Sequence, residues 1–258
     1  MELNIYHLYP DVLNLYGDRG NVLCMQRRLE WRGMQANIVN VPIGAKLDAE
    51  NCDLIFIGGG QDFEQEVLLE DLHGAKTAEI KAAVNDGKAF LAICGGYQML
   101  GRTLADPYGV EKLGVLSGLG LLPCETAFSA QKTRTRVTAE VTAPLFSGAK
   151  LDGYEIHMGV TKAGEGATPF CRLSDGRTDG AVVGNVFGTY LHGLFDTGEL
   201  TDALARWLLI RKGLDPVAVQ PEDQKAYQER QFDLLADVVR NSLDMHAVYA
   251  ALEGKETP

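Results

Sequence analysis

The chain has 258 residues, 46% of them hydrophobic, which is enough to bury a sizeable core and sets disorder aside. Lys and Arg number 24 against 35 Asp and Glu, a net charge of -11, which argues against nucleic acid or an anionic membrane as the main partner because phosphate binding needs clustered cations. The nearest approach to a basic cluster, Lys132, Arg134 and Arg136, is too small for a nucleic-acid footprint but large enough to grip one carboxylate. The opening Met-Glu-Leu-Asn-Ile-Tyr has no basic region followed by an apolar stretch, so no signal peptide is expected. No run approaches the roughly 18 apolar residues of a membrane span. The five cysteines are odd in number, widely spaced and without a CxxC pair, which reads as reduced thiols in a cytoplasm and neither a disulfide frame nor a metal site.

The first 105 residues alternate strand and helix. Leu3–Tyr9 reads as a strand, and Asn21 can cap a helix that runs through Arg32 to Gly33 with Val22, Met25 and Leu29 on one face. Ala36–Val41 and the continuously apolar Leu54–Ile57 follow as strands, the second ended by Gly58-Gly59-Gly60. Thr77 to about Asp86 is helical, and Ala89–Ile93 is again uniformly apolar, as buried parallel strands are. This β-α-β-α-β order predicts an α/β fold with a doubly wound parallel sheet and its site at the carboxyl ends of the strands. From Gly114 to Gly193, short β-prone segments (Thr135–Val141, Tyr154–Val160, Ala181–Phe187) separated by turn residues suggest an antiparallel extension. Helices return at Glu199–Arg211 and from about Pro221 to Leu252. No repeat or linker divides the chain, so one domain over 1–253 is expected, with 254–258 a loose tail.

The strongest chemical signal is Phe90-Leu-Ala-Ile-Cys94-Gly-Gly-Tyr-Gln98. An apolar strand running into Cys94, then two glycines and a helix-compatible stretch, is the layout of a nucleophile elbow. The following helix N-terminus favours thiolate and offers N–H groups to an oxyanion. Gly58–Gly60 lies past a parallel strand on the same sheet edge, where its backbone could supply a second donor. A nucleophilic Cys needs a base. His192, at the end of an apolar β-prone run and before Gly193, is favoured, with His157 as the other candidate. Glu155 could orient a histidine or line the pocket.

Three segments together, Gly58-Gly-Gly-Gln-Asp62, Ile93-Cys-Gly-Gly-Tyr-Gln98 and Gly188-Thr-Tyr-Leu-His-Gly193, resemble class I glutamine amidotransferases, in the branch containing cobyric acid synthase. The resemblance covers nearly the whole chain. It implies a flavodoxin-like fold, mostly parallel sheet flanked by helices, and hydrolysis of L-glutamine to glutamate and ammonia. By position it implies Cys94 as nucleophile, His192 as general base and acid, an oxyanion hole from the backbone of Gly59 or Gly60 and of Gly95, and Gln98 as a substrate contact. The family places a Glu two residues after the His, where this chain has Leu194, so either a dyad suffices or Glu155 or Asp196 takes the third role.

Within the branch, the stretch from Ile5 to Asn21 is similar to the glutaminase subunits of lipid II isoglutaminyl synthases. That similarity implies a heterodimer with a Mur-ligase-like synthase subunit that uses ATP and magnesium to amidate D-glutamate of the peptidoglycan stem peptide, no cofactor on this chain, and a substrate-gripping Arg at Arg134 or Arg136. The stretches from Gly153 to Gly159 and from Tyr227 to Met245 look more like the C-terminal part of cobyric acid synthases, implying corrin amidation instead. The sequence contains no GxxxxGK[ST] nucleotide loop, which fits a stand-alone subunit better. A Cys peptidase-like hydrolase and a non-catalytic binding subunit on the same fold are the readings from other classes.

Overall fold

The computed structural model describes residues 2–13, 18–60, 64–110, 114–215 and 223–254. Gln61 and Asp62 of the glycine loop, the expected helix start at Pro221 and the tail from 255 onward lie outside these. The chain divides into two compact units, Met1–Val219 and Gln220–Pro258.

In the first unit, β1 (Glu2–Leu8), β2 (Gln35–Val41), β3 (Leu54–Ile57), β4 (Ala89–Ile93) and β12 (Val186–Thr189) form a parallel sheet in the order β2-β1-β3-β4-β12, with β11 (Ala181–Val183) antiparallel on the outer edge of β12. That order is the flavodoxin-like one, with the chain reversing direction across the sheet between β1 and β3. β3 and β4 are buried at every residue, which explains their unbroken apolar runs. Helices α1 (Arg19–Glu30), α2 (Gln65–Asp71), α3 (Thr77–Asn85), α4 (Gly95–Leu100) and α5 (Glu199–Arg211) accompany the strands. Gly33, with φ +73, follows the end of α1 in a left-handed conformation that side chains rarely adopt.

The β-rich middle forms a second sheet, where an extension of the first was expected. β5 (Thr103–Ala105), β6 (Val115–Ser117), β7 (Cys124–Val141), β8 (Lys150–Ala163), β9 (Cys171–Leu173), β10 (Thr178–Asp179) and β13 (Leu191–His192) belong to it. Two of the expected short strands are parts of a long ribbon, β7 against β8, with a register shift between Phe128 and Thr133. The third, Ala181–Phe187, is a hairpin: Gly184 at φ +57 turns the chain, and β12 returns to join the parallel sheet. Apolar residues on both sides of Gly184-Asn185 make the hairpin read as one strand.

In the second unit the expected single helix is two, α6 (Gln224–Ser242) and α7 (Met245–Leu252). Leu243 is extended, and the Asp244 carboxylate accepts from the Ala247 N–H, restarting the helix with a new cap. Phe232, Leu235, Val238 and Val239 of α6 are exposed. All five cysteines are free thiols. Among the described residues no helix is long and apolar enough to cross a membrane.

Candidate active site

Cys94 stands between the end of β4 and the start of α4, at φ +52 and ψ -113, a backbone conformation that is strained for any residue with a side chain. The neighbouring strands hold it there. The Cys94 N–H donates to the Thr189 carbonyl at 2.9 Å, and the Gly96 N–H to the Gly58 carbonyl at 3.1 Å. A Cβ on Gly96 would stand 2.8 Å from the Ile57 carbonyl oxygen, so the elbow closes against β3 only with glycine. The Cys94 thiol lies 3.7 Å from the Ile156 carbonyl of β8.

Gly59 is the meeting point of the site. A Cβ built on it would lie 2.9 Å from Cys94 Cβ, 3.3 Å from His192 Cε1 and 3.4 Å from an Asp18 oxygen, so three side chains converge on one glycine. His192 is wholly buried, and its Nδ1 lies 3.0 Å from Asp18 Oδ1. A carboxylate can only accept, so Nδ1 carries the proton and Nε2 is the basic nitrogen. The second Asp18 oxygen accepts from the Gly59 N–H at 2.8 Å, tying the carboxylate to the glycine loop. The Tyr154 ring stacks on the imidazole with centroids 5.0 Å apart and planes 13° apart.

Asp18 is the residue that sequence reasoning missed. It occupies the position before the first residue of α1, where an aspartate ordinarily caps a helix, yet its side chain makes no capping bond and turns to His192 instead. The expected cap, Asn21, is buried in the first turn with its amide 3.4 Å from Asp18. The one available signal was an acidic residue soon after β1, at the carboxyl edge of the sheet.

The residues proposed for that third place are elsewhere. Glu155 is buried, bonded to Arg177 at 2.9 and 3.4 Å and 3.7 Å from His157. Burial opposes its ionisation, but the bonds from His157 and Arg177 prevail and hold its carboxyl below the usual range. It misses His192 because it sits opposite Leu191 in the β8–β13 pairing, whereas Tyr154 sits opposite His192. Asp196 is exposed in the turn after His192, its N–H donating to the Gly193 carbonyl. His157, the other candidate base, bonds the Gly159 carbonyl at 2.8 Å through Nδ1 and stacks on Tyr190 at 3.9 Å.

The Gly59 N–H, engaged by Asp18, is no longer available to an oxyanion. Gly60 remains beside the elbow, its nitrogen 3.7 Å from where a Cβ on Gly95 would be. Gln98 is buried, its amide accepting from Gln65 and donating to the Tyr190 hydroxyl at 3.2 Å. These contacts brace the elbow between α2 and the turn from β12 to β13 and leave Gln98 no open face for a substrate. Arg134 and Arg136 are exposed on β7, directly opposite Ile156 and Tyr154. Paired residues share a sheet face, so both arginines lie on the face of the ribbon that bears the Tyr154 ring.

Asp179 is buried, and burial pushes its carboxyl up. It accepts from the Thr189 hydroxyl and, at 3.0 Å, from the Tyr190 N–H, fixing the turn that delivers His192 from β12 to β13. A thiol, an imidazole with its far nitrogen held by a carboxylate, and backbone N–H groups beside the elbow are the components of nucleophilic acyl transfer.

The model of the CobB/CobQ-like glutamine amidotransferase domain matches residues 4–200. Cobyric acid synthase from Ruminiclostridium cellulolyticum is 40% identical over 215 residues, covering 79% of this chain and 42% of the relative. Cobyric acid synthase from Streptococcus sanguinis is 37% identical over 217 residues, with the same shares. The chain thus spans less than half the length of these curated relatives. Among solved structures, PurLQS from Thermotoga maritima aligns with a TM-score of 0.58 at 20% identity, covering 81% of this chain and 100% of that one. A glutamine amidotransferase from the same organism aligns at 0.51 and 16% identity, covering 84% and 88%. At such identities these two show the shared fold.

Proposed function

The chain belongs to the CobB/CobQ-like glutamine amidotransferase family, and on that premise we propose that it is a cytoplasmic glutaminase component supplying ammonia to an ATP-dependent, carboxylate-amidating synthase. The convergence of Cys94, His192 and Asp18 on Gly59 carries this reading. In it, His192 Nε2 takes the Cys94 proton and the thiolate attacks the side-chain amide carbon of L-glutamine. The Gly60 and Gly95 N–H groups receive the oxyanion. The imidazolium returns its proton to the departing nitrogen, releasing ammonia and leaving a γ-glutamyl thioester. Water, deprotonated by His192, cleaves the thioester to glutamate and regenerates the thiol. Asp18 holds the tautomer and stabilises the imidazolium. Arg134 or Arg136 grips the substrate carboxylate at the mouth.

For the acceptor, the resemblance of the stretch from Ile5 to Asn21 supports a Mur-ligase-like partner, binding ATP and magnesium, that amidates D-glutamate of lipid II. A second reading, amidation of corrin carboxylates, is supported by the cobyric acid synthases among the relatives. The test supplies the chain with glutamine labelled with 15N in its amide, together with ATP, magnesium and either a Mur-ligase-like partner with lipid II or a corrin synthase with its acid. Label in the lipid II stem peptide supports the first reading and label in the corrin the second. Failure of the chain to release ammonia in either mixture sinks both.

A further inference from the structure

Glu155 and His157 turn away from the reacting atoms, yet the strand that carries them touches both reacting side chains. Along β8 side chains alternate between faces, so Tyr154 lies on one face and Glu155 on the other. On the first face the Tyr154 ring lies near-parallel to the His192 imidazole, and two residues further along the edge of the strand the Ile156 carbonyl meets the Cys94 thiol. The approach is close: a Cβ on Gly153 would lie 2.1 Å from the His192 carbonyl oxygen, so only glycine lets β8 run against β13 here. On the opposite face the Glu155 pair with Arg177 and the stack of His157 on Tyr190 clamp the strand. The backbone at Tyr154 is thereby held from behind, which sets the base from which its ring reaches the imidazole.

We propose that Tyr154 is the positioning residue of the His192 imidazole. Asp18 sets the tautomer and the in-plane angle through one hydrogen bond. An imidazole held at one nitrogen can still rock out of its plane, and a parallel ring on its face removes that freedom. The same ring keeps bulk water off the face of the base. Sheet pairing puts the exposed Arg136 beside Tyr154, so the residue that orients the base also adjoins one of the two arginines proposed to hold the substrate carboxylate. This rests on the reading of His192 as the acid and base of glutamine hydrolysis.

The test uses the full chain with Tyr154→Phe and Tyr154→Leu, in two measurements. In steady-state glutamine hydrolysis, Tyr154→Leu is expected to lower kcat by about tenfold or more with KM within about twofold, while Tyr154→Phe, which keeps the ring, stays close to wild type. In NMR spectra of histidine-labelled protein, the His192 ring signals are expected to move downfield in Tyr154→Leu, which lacks the ring current, and to stay in place in Tyr154→Phe. If Tyr154→Leu does not fold, Tyr154→Met fills the site without a ring. An unmoved His192 signal in the ringless variant overturns the proposal, and so does an unchanged kcat in a wild-type background that hydrolyses glutamine. If the wild type does not hydrolyse glutamine, that reading of the function fails, and the NMR measurement alone decides whether Tyr154 orients His192.

Discussion

Asp18→Asn is the sharpest perturbation of the site, because it keeps the shape of the side chain and removes its charge. Asp18 is buried and its two oxygens serve His192 Nδ1 and the Gly59 N–H. When His192 takes the thiol proton, a positive ring faces this carboxylate. With Nδ1 and Oδ1 3.0 Å apart, the charge centres are about 4–5 Å apart, and at an effective dielectric of about 20 their attraction is about 3–4 kcal/mol. Lost in the transition state, that corresponds to a fall of roughly two to three orders of magnitude in kcat. The tautomer works in the same direction. If the asparagine keeps its oxygen on Gly59, its NH2 faces Nδ1, which must then accept, and the proton moves to Nε2 where the base is needed. Glutamate release, coupled to glutamate dehydrogenase, measures the effect, and a thermal melt separates it from unfolding. A variant that melts like wild type and keeps kcat within about fivefold would refute the role given to Asp18.

Other expectations follow from buried groups. Gly153→Ala puts a Cβ 2.1 Å from the His192 carbonyl, a backbone atom that cannot swing aside; a loss of about 1–3 kcal/mol in chemical denaturation is expected, together with loss of glutaminase activity. His7 is buried with its Nε2 lacking a hydrogen-bond partner among the described residues, and burial, then Arg19, push its pKa down to about 4. The unfolded chain takes up this proton at about pH 6.5 and the folded one only near pH 4, so stability is expected to fall as pH drops through that window, by up to about 3 kcal/mol. Denaturation midpoints at pH 7 and pH 5 should differ less in His7→Phe than in wild type; an equal difference would exclude this cause. Lys76 is fully buried against Asp71, which also accepts from Tyr9 and the Gly44 N–H. Lys76→Met strands that carboxylate and is expected to cost about 3 kcal/mol, part of which Asp71→Asn should restore in the double variant; additive losses would contradict the pairing.

What could be read in the sequence was set by local chemistry. Cys94 was legible because an apolar strand, a cysteine and two glycines lie in one continuous stretch, and the glycines answer a close approach to Ile57 and Gly58. His192 was legible as a histidine ending an apolar run that proved to be β12 and β13. Asp18 was not, because an aspartate before a helix reads as a cap, and its diversion to His192 spans 174 positions in the sequence. Glu155 was misread for the converse reason: its nearness to His157 in sequence was real, but the register of β8 on β13 gives the His192 side to Tyr154. The second sheet and the break at Leu243 escaped as well, since a long ribbon reads as short strands, and the pattern of apolar residues runs from Val239 through Leu243 to Val248 across the break.

That Cys94 is the nucleophile of a glutamine-hydrolysing site is tested most directly by intact-mass spectrometry of the chain treated with an electrophilic glutamine analogue. One adduct is expected, mapping to Cys94, prevented by excess L-glutamine, and absent in Cys94→Ala together with all glutamate release. An adduct on another cysteine, or glutamine hydrolysis that persists in Cys94→Ala, would contradict it.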